Sequence, residues 1–389
     1  MEKMKILQVN KLYFPEIGGI EKAVQQISEG MKDKADLKVL VCQKKGKGIR
    51  ETVNGVRVYR AHSFGVVSSV PISFSFFRDL RRLSKDADII QFHMPFPLAD
   101  LACLLSGYRG KVVAYWHSDV VKQKKWMLLY RPVMERFLKR TDLILVGSHG
   151  TLKGSHYLKP YLDKCRVIPY AVSEQILQDG GRFLEEHGYR ERESREQIHF
   201  LFIGRLVYYK GCSFLIEAFA KLAEKNRIGG RDGQTVDVAL TVIGDGALRQ
   251  EMEQKAKELK VYDQIHFLGR ADDKTMKASM EQADVFVLPS IERSESFGLV
   301  QLEAMAYGIP VINTQLPSGV PEVSLHGKTG LTVQPADADA LADAMEWMCS
   351  HPEERRRMGI AARERVEACF TEERLVSNII AVYEELLIK

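Results

Sequence analysis

The 389 residues are 45% hydrophobic and 28% charged, an ordinary globular composition, and the length suits two or three domains with sizeable cores. No apolar run approaches the roughly 18 residues needed to cross a bilayer, and a strand opening at Met4 is expected to leave no room for a signal peptide. The six cysteines are scattered without a CxxC pair, which points to a reducing, cytoplasmic compartment and away from structural zinc. The net charge of +5 conceals an asymmetry: residues 1–172 carry +15 and the remainder −10, so the first half is expected to face an anionic partner.

In chain order, strands are expected at Ile6–Val9, Leu37–Cys42, Ile89–Phe92, Val112–Tyr115, Leu143–Val146 and Arg166–Ile168. Helices should begin near Gly19, Phe74, Pro97, Trp126 and Gly150. This alternation indicates an α/β fold with parallel sheets. The first loop, Tyr13-Phe-Pro-Glu-Ile-Gly18-Gly19, leads into a helix, where a glycine pair lets N–H groups approach a phosphate; any tight strand-to-helix turn also uses glycines. Trp116-His117-Ser118-Asp119 follows a strand, so His117 is placed to donate to a sugar hydroxyl or meet developing positive charge, and His93 is similarly placed. The densest basic stretch, Val120 to Arg140, interleaves Lys122, Lys124 and Lys125 with Trp126 and aliphatic residues. Such a helix suits an anionic membrane surface, or packs its apolar side on its own sheet. No nucleic-acid motif accompanies the charge.

A break at Pro169–Val172 is followed by a charged stretch, 173–197, expected to link two domains. Strands resume at Ile198–Ile203, Val238–Ile243, Ile265–Leu268, Val285–Leu288 and Val311–Ile312. The first ends in Gly204-Arg205-Leu-Val-Tyr-Tyr-Lys210-Gly211, where a guanidinium fork and a mobile ammonium could hold a diphosphate and stabilise it as a leaving group. Gly244-Asp-Gly246 lacks the third glycine of a dinucleotide fingerprint, since Arg249 stands there. In Gly269-Arg-Ala-Asp272-Asp273, a carboxylate can accept from guanine N–H groups or simply cap the next helix. Asp337-Ala-Asp339 reads as helix capping rather than a metal site.

The run Glu295-Ser-Phe297-Gly298-Leu299-Val-Gln-Leu-Glu303 places one carboxylate in a strand-to-helix loop and another a turn into the helix. Two acceptors at different depths suit a polyhydroxylated ligand; acids near a helix start are also favoured by its dipole. Three helical stretches, Ala338–Cys349, Glu353–Ala368 and Thr371–Leu387, close the chain.

Taken together, the glycine pair, the Gly-Arg…Lys-Gly loop, the separated glutamates and Val320-Pro-Glu322 resemble a retaining glycosyltransferase of family 4 over nearly the whole chain. The resemblance implies the GT-B fold: two Rossmann-like, doubly wound parallel-sheet domains facing a central cleft. Residues 1–172 would form the acceptor domain, with the helix 371–389 packing back on it, and 198–370 the nucleotide-sugar domain. It implies that Arg205 and Lys210 bind the donor diphosphate, Glu303 the ribose and Glu295 the donor sugar. Phe297, Gly298 and Leu299 would lie in the same donor site. His117 would lie near the reacting bond, and Gly18 and Gly19 would close over phosphates or admit the acceptor. The opening loop and the His117 run look most like bacterial mannosyl- or rhamnosyltransferases of surface-polysaccharide assembly. The Asp272-Asp273 loop resembles GDP-mannose enzymes, with Asp273 on the base, although the lysine they carry is Met276 here. A UDP- or dTDP-sugar donor is the alternative, and a sugar-nucleotide epimerase, a glycan phosphorylase or a non-catalytic sugar-nucleotide binder are the other classes. Expected partners are a nucleotide sugar, a glycan or polyprenyl-diphosphate-linked acceptor and an anionic membrane at the inner face of the cytoplasmic membrane; no cofactor or metal is expected.

Overall fold

A computed structural model of the chain describes residues 3–16, 18–67, 70–119, 124–189, 197–227 and 237–388, without the side chains of residues 124–128 and 226–227. The chain divides into two compact units, Met1–Ala171 with Glu372–Lys389, and Val172–Thr371.

The first unit is built on an eight-stranded sheet. In spatial order its strands are Cys165–Val167, Leu143–Val146, Lys111–Trp116, Ile89–Met94, Lys5–Val9, Asp36–Cys42, Val56–Ala61 and Ile49–Val53. All pairs are parallel except the last. The inner strands Ile89–Met94 and Leu143–Val146 are buried along their whole length, as strands covered by helices on both faces must be. The closing helix Glu372–Ile388 belongs to this unit and buries Leu375, Val376, Ile379 and Tyr383. Four strands escape the apolar-run reading: Ile49–Val53, Val56–Ala61 and a small separate hairpin, Gly65–Val67 with Val70–Ile72.

The second unit holds a six-stranded, all-parallel sheet. Its order is Ile265–Gly269, Asp237–Ile243, Gln197–Ile203, Val285–Leu288, Val311–Thr314 and Gly330–Val333. Of the stretch expected as a charged linker, residues 190–196 lie outside the described residues, and Glu174–His187 forms a helix of this unit, N-capped by Ser173. Its Gly180 lies so close to Ala306 that a Cβ would meet the carbonyl oxygen at 2.2 Å.

A recurring aspartate sets strand register in both units. Asp88, Asp142 and Asp284, each directly ahead of a strand, accept from the N–H groups of Lys5, Val112 and His199 near the start of the neighbouring strand, at 2.7–2.8 Å. These bonds satisfy donors that the ladder leaves open.

Each sheet has a point where the connections change direction. In the first unit it lies between Lys5–Val9 and Ile89–Met94, in the second between Gln197–Ile203 and Val285–Leu288. The crevice beyond the carboxyl ends of strands at such a point is where open α/β sheets take ligands.

Candidate active site

In the second unit the two strands at the switch point supply the two halves of a charged site. Gln197–Ile203 leads into Arg205 and the short 3-10 turn Tyr208–Lys210. Gly211 follows with φ +69, and a Cβ there would stand 1.9 Å from the Pro289 carbonyl oxygen. Only glycine allows that approach, and it brings the Lys210 loop against the loop after Val285–Leu288. Ile291 N–H donates to the Tyr209 carbonyl at 2.8 Å, joining the loops by backbone.

Across that seam Lys210 Nζ stands 2.5 Å from Glu295 Oε2, both side chains about one-tenth exposed. The same carboxylate oxygen accepts from Ser290 Oγ at 3.1 Å. Ser290 is held in turn by its carbonyl, which accepts from Thr314 Oγ1 at 2.5 Å. Arg205 lies exposed on the neighbouring turn and donates through Nη2 to the Tyr209 hydroxyl at 2.9 Å. Behind the arginine, the Gly244-Asp-Gly246 turn supports the loop: Leu206 N–H donates to the Asp245 carbonyl at 3.0 Å. A Cβ on Gly244 would stand 1.9 Å from the Gly204 oxygen, so this turn is a scaffold for the Arg205 loop.

Gly298 starts the helix Leu299–Ala306, which carries Glu303, half-buried, a turn further on. A buried amide network sets that helix. Asn313 Nδ2 donates to Gln301 Oε1 at 2.9 Å and to the Val320 carbonyl at 3.0 Å, while Gln301 Nε2 donates to the Phe297 carbonyl at 3.1 Å. The Phe297 ring is buried edge-on against Phe370, so Phe297 can reach a ligand only through its main chain. Arg363 Nη1 donates to the Ala306 carbonyl at 2.5 Å, closing the helix's far end.

The paired aspartates are resolved in favour of capping for one of them. Asp272 caps the helix Asp273–Gln282 by accepting from Thr275 N–H at 2.8 Å. Hydrogen bonding from the Thr275 side chain, and then from its N–H, holds the Asp272 carboxyl below the usual aspartate range. Asp273 is exposed on the first turn. Asp337 likewise caps its helix, accepting from Ala340 N–H at 2.9 Å, and Asp339 pairs with Lys221.

In the first unit, His117 is buried and committed at both ring nitrogens: Nδ1 lies 2.6 Å from the Tyr170 hydroxyl and Nε2 2.9 Å from His93 Nδ1. His93 Nε2 is 2.8 Å from Gln8 Oε1. Gln91 Nε2 also approaches His93 Nε2, at 3.2 Å, but the Gln8 oxygen is closer and only accepts, which favours the proton on His93 Nε2 with its Nδ1 accepting from His117 Nε2–H. His117 Nδ1 then accepts from Tyr170. The far end of the chain reaches the closing helix, where Gln8 Nε2 donates to the Tyr383 oxygen at 3.4 Å and Tyr383 donates to Gln91. The rings of Tyr115, His117 and Tyr170 stack with centroids 4.7–5.6 Å apart. Burial, with nearby Lys11 adding to it, pushes the His117 imidazolium down to about 3, and burial lowers His93 as well. His117 therefore meets its surroundings as a neutral ring, its single N–H directed at His93 rather than open to a sugar hydroxyl.

Gly18 has extended backbone and precedes the helix Gly19–Met31. The turn expected to cradle a phosphate is approached by a carboxylate: a Cβ on Gly18 would meet Glu21 Oε2 at 2.2 Å, and that carboxylate accepts from its own backbone N–H. Burial raises the Glu21 carboxyl despite the nearby Lys11. Lys122 lies outside the described residues. Lys124, Lys125 and Trp126 begin the helix Lys124–Arg140, their side chains undescribed; further along, Met134, Phe137 and Leu138 are buried in the unit's own core.

Ser290, Tyr209, Gln301 and Asn313 support the charged site without being expected from the sequence. Ser290 was detectable, standing two residues after a strand end; the amides sit in otherwise apolar surroundings and gave no signal. Gln8 and Tyr383 were equally silent.

Comparison with known proteins matches residues 17–175 to the family described as Glycosyltransferase Family 4 and residues 186–365 to Glycosyl transferases group 1. The D-rhamnosyltransferase WbpZ of Pseudomonas aeruginosa is 33% identical over 370 residues, 95% of this chain and 92% of that protein. The O-antigen chain mannosyltransferase C of Escherichia coli is 30% identical over 388 residues, 99% of each. Among solved structures, the sucrose-phosphate synthase of Thermosynechococcus elongatus superimposes with a TM-score of 0.76 at 22% identity, covering 99% of this chain and all of that one.

Proposed function

This chain belongs to glycosyltransferase family 4, on the GT-B fold, and from that premise we propose that it transfers mannose from GDP-mannose, with retention, to a saccharide acceptor. The acceptor is a growing surface polysaccharide or glycolipid carried on a lipid at the inner face of the cytoplasmic membrane. Support for the sugar comes from the names of the two relatives, one a mannosyl- and one a rhamnosyltransferase. The observation that carries the chemistry is the placement of Arg205, Lys210, Glu295 and Glu303 beyond the two strands at the second unit's switch point.

In this reading Arg205 and Lys210 hold the donor diphosphate. As the bond from the anomeric carbon to the diphosphate oxygen breaks, they take up the negative charge growing on that oxygen. The acceptor hydroxyl oxygen bonds to the same face of the anomeric carbon, and its proton passes to an oxygen of the departing diphosphate. Glu303 grips the ribose hydroxyls, Glu295 orients the sugar, and Asp273 accepts from guanine. Neither glutamate takes the proton, so the pair does not act as a glycosidase couple. The two cations supply the charge stabilisation, so no metal is invoked.

The reading is tested by incubating the enzyme with GDP-α-mannose and a lipid-linked saccharide and assigning the new linkage by NMR. An α-linked mannosyl product with equimolar GDP supports it. A β-linked product overturns retention, and an epimerised nucleotide sugar formed without acceptor replaces transfer by epimerisation.

A further inference from the structure

The hairpin Gly65–Val67 with Val70–Ile72 stands apart from both large sheets. Phe64 is 59% exposed, Val66 44%, Val67 55%, Ile72 42% and Phe74 74%. Neighbouring residues of a strand point to opposite faces, so Val66 and Val67 present apolar side chains on both faces of the first strand, while Pro71 and Val70 on its partner seat the hairpin on the unit. A run of large apolar side chains left in water marks an interaction surface.

Its base is firmly held. Phe64 N–H donates to the Ile72 carbonyl at 3.0 Å, and Ser73 Oγ donates to the His62 carbonyl at 2.5 Å. The Phe64 and Phe74 rings meet edge-on with centroids 5.9 Å apart. The apolar residues are thus presented on a fixed support, which limits the entropy lost on docking.

Positive charge surrounds this support. Gly46 and Ser63 exchange backbone hydrogen bonds of 2.8 and 3.0 Å, fastening the exposed Lys45 and Lys47 beside Phe64. On the other side Phe74 precedes the helix Ser75–Leu83, and exposed Arg78 and Arg81 follow it at helical spacings that share its face. Acids are nearby only in part: Glu16 pairs with Lys44, and Asp79 stands between Arg78 and Arg82.

We propose that this hairpin inserts Phe64, Val66, Val67, Ile72 and Phe74 into the interfacial layer of an anionic lipid bilayer, with Lys45, Lys47, Arg78 and Arg81 on its headgroups. Apolar side chains ringed by basic ones match the two attractions that hold a protein to such a surface. A second copy of the chain fits worse, because pairing like faces brings the four cations together. The inference rests on the proposed membrane-bound acceptor and assigns membrane contact to a surface other than the basic helix.

The test is sedimentation of the full chain with vesicles of phosphatidylcholine alone or mixed with phosphatidylglycerol, at low and high salt. Wild type is expected to bind the mixed vesicles in a salt-sensitive way. F64S/F74S and K45E/K47E should each bind roughly tenfold more weakly with unchanged melting temperatures, and tryptophan emission of F74W should shift to the blue on the mixed vesicles. Wild-type binding that both double variants retain overturns the hairpin while leaving the membrane reading intact. No wild-type binding overturns both. A vesicle-independent dimer that F64S/F74S dissociates assigns the face to a second copy and overturns the lipid.

Discussion

Lys210 and Glu295 form an ion pair of 2.5 Å between two loops, with about one-tenth of each side chain exposed. Glu295 thereby holds Lys210 in place at the site and compensates its charge. Removing one partner of such a pair leaves the other charge poorly solvated, which costs more than the pair itself contributes.

Stability and rate should separate these roles. Lys210→Ala should lower stability by about 3 kcal/mol and kcat by roughly a hundredfold or more. Lys210→Ala combined with Glu295→Gln should recover most of the stability and none of the rate. Chemical denaturation beside steady-state kinetics reads both. Full recovery of turnover in the double variant removes Lys210 from the chemistry.

Arg205 is exposed and bonded to Tyr209, so Arg205→Ala should leave the melting temperature within about a degree of wild type while depressing kcat by roughly a hundredfold. EDTA should leave turnover unchanged, because the cations carry the leaving-group charge. Loss of activity to EDTA, restored by a divalent ion, contradicts that assignment.

Glu303 is assigned to the ribose, a contact made equally in ground and transition states. Glu303→Gln should then raise the donor KM about tenfold with little change in kcat. A pure kcat effect places Glu303 at the reacting bond instead.

Acid sensitivity arises from the buried histidines. His117 is depressed to about 3 and His93 is lowered too, while both return to ordinary values on unfolding. The unfolded chain thus binds more protons below about pH 6.5, so the stability is fully present above that pH and falls as pH drops towards 3. At pH 5 His117 alone should account for a loss of about 2 kcal/mol relative to pH 7.5. His117→Gln should flatten that part of the profile in denaturation curves; an unaltered profile contradicts the buried neutral ring.

How far the site could be read from sequence depended on the physics of parallel strands. Arg205, Lys210, Glu295 and Glu303 were visible because they stand downstream of apolar runs, and the loops that leave parallel strands gather at one edge of the sheet. Their pairing was hidden, since it depends on Gly211 letting the Lys210 loop approach the Pro289 carbonyl. Charge concealed the helix Glu174–His187, in which polar residues outnumber the apolar ones that seat it. Ile49–Val53 escaped because it is an exposed, polar edge strand, and Val56–Ala61 beside it because arginines interrupt its apolar residues. The His117 chain runs on to Tyr383, hundreds of residues away, a distance that no local pattern spans.

Binding of a guanine nucleotide diphosphate to the second unit through Arg205 and Lys210 is decided by thermal shift with GDP, UDP, ADP and dTDP on wild type and on Lys210→Ala. A ligand that binds only the folded chain raises its melting temperature. GDP should raise the melting temperature of wild type but not of the variant, and the other three should have little effect. Stabilisation by UDP or dTDP without GDP, or an undiminished GDP response in Lys210→Ala, contradicts it.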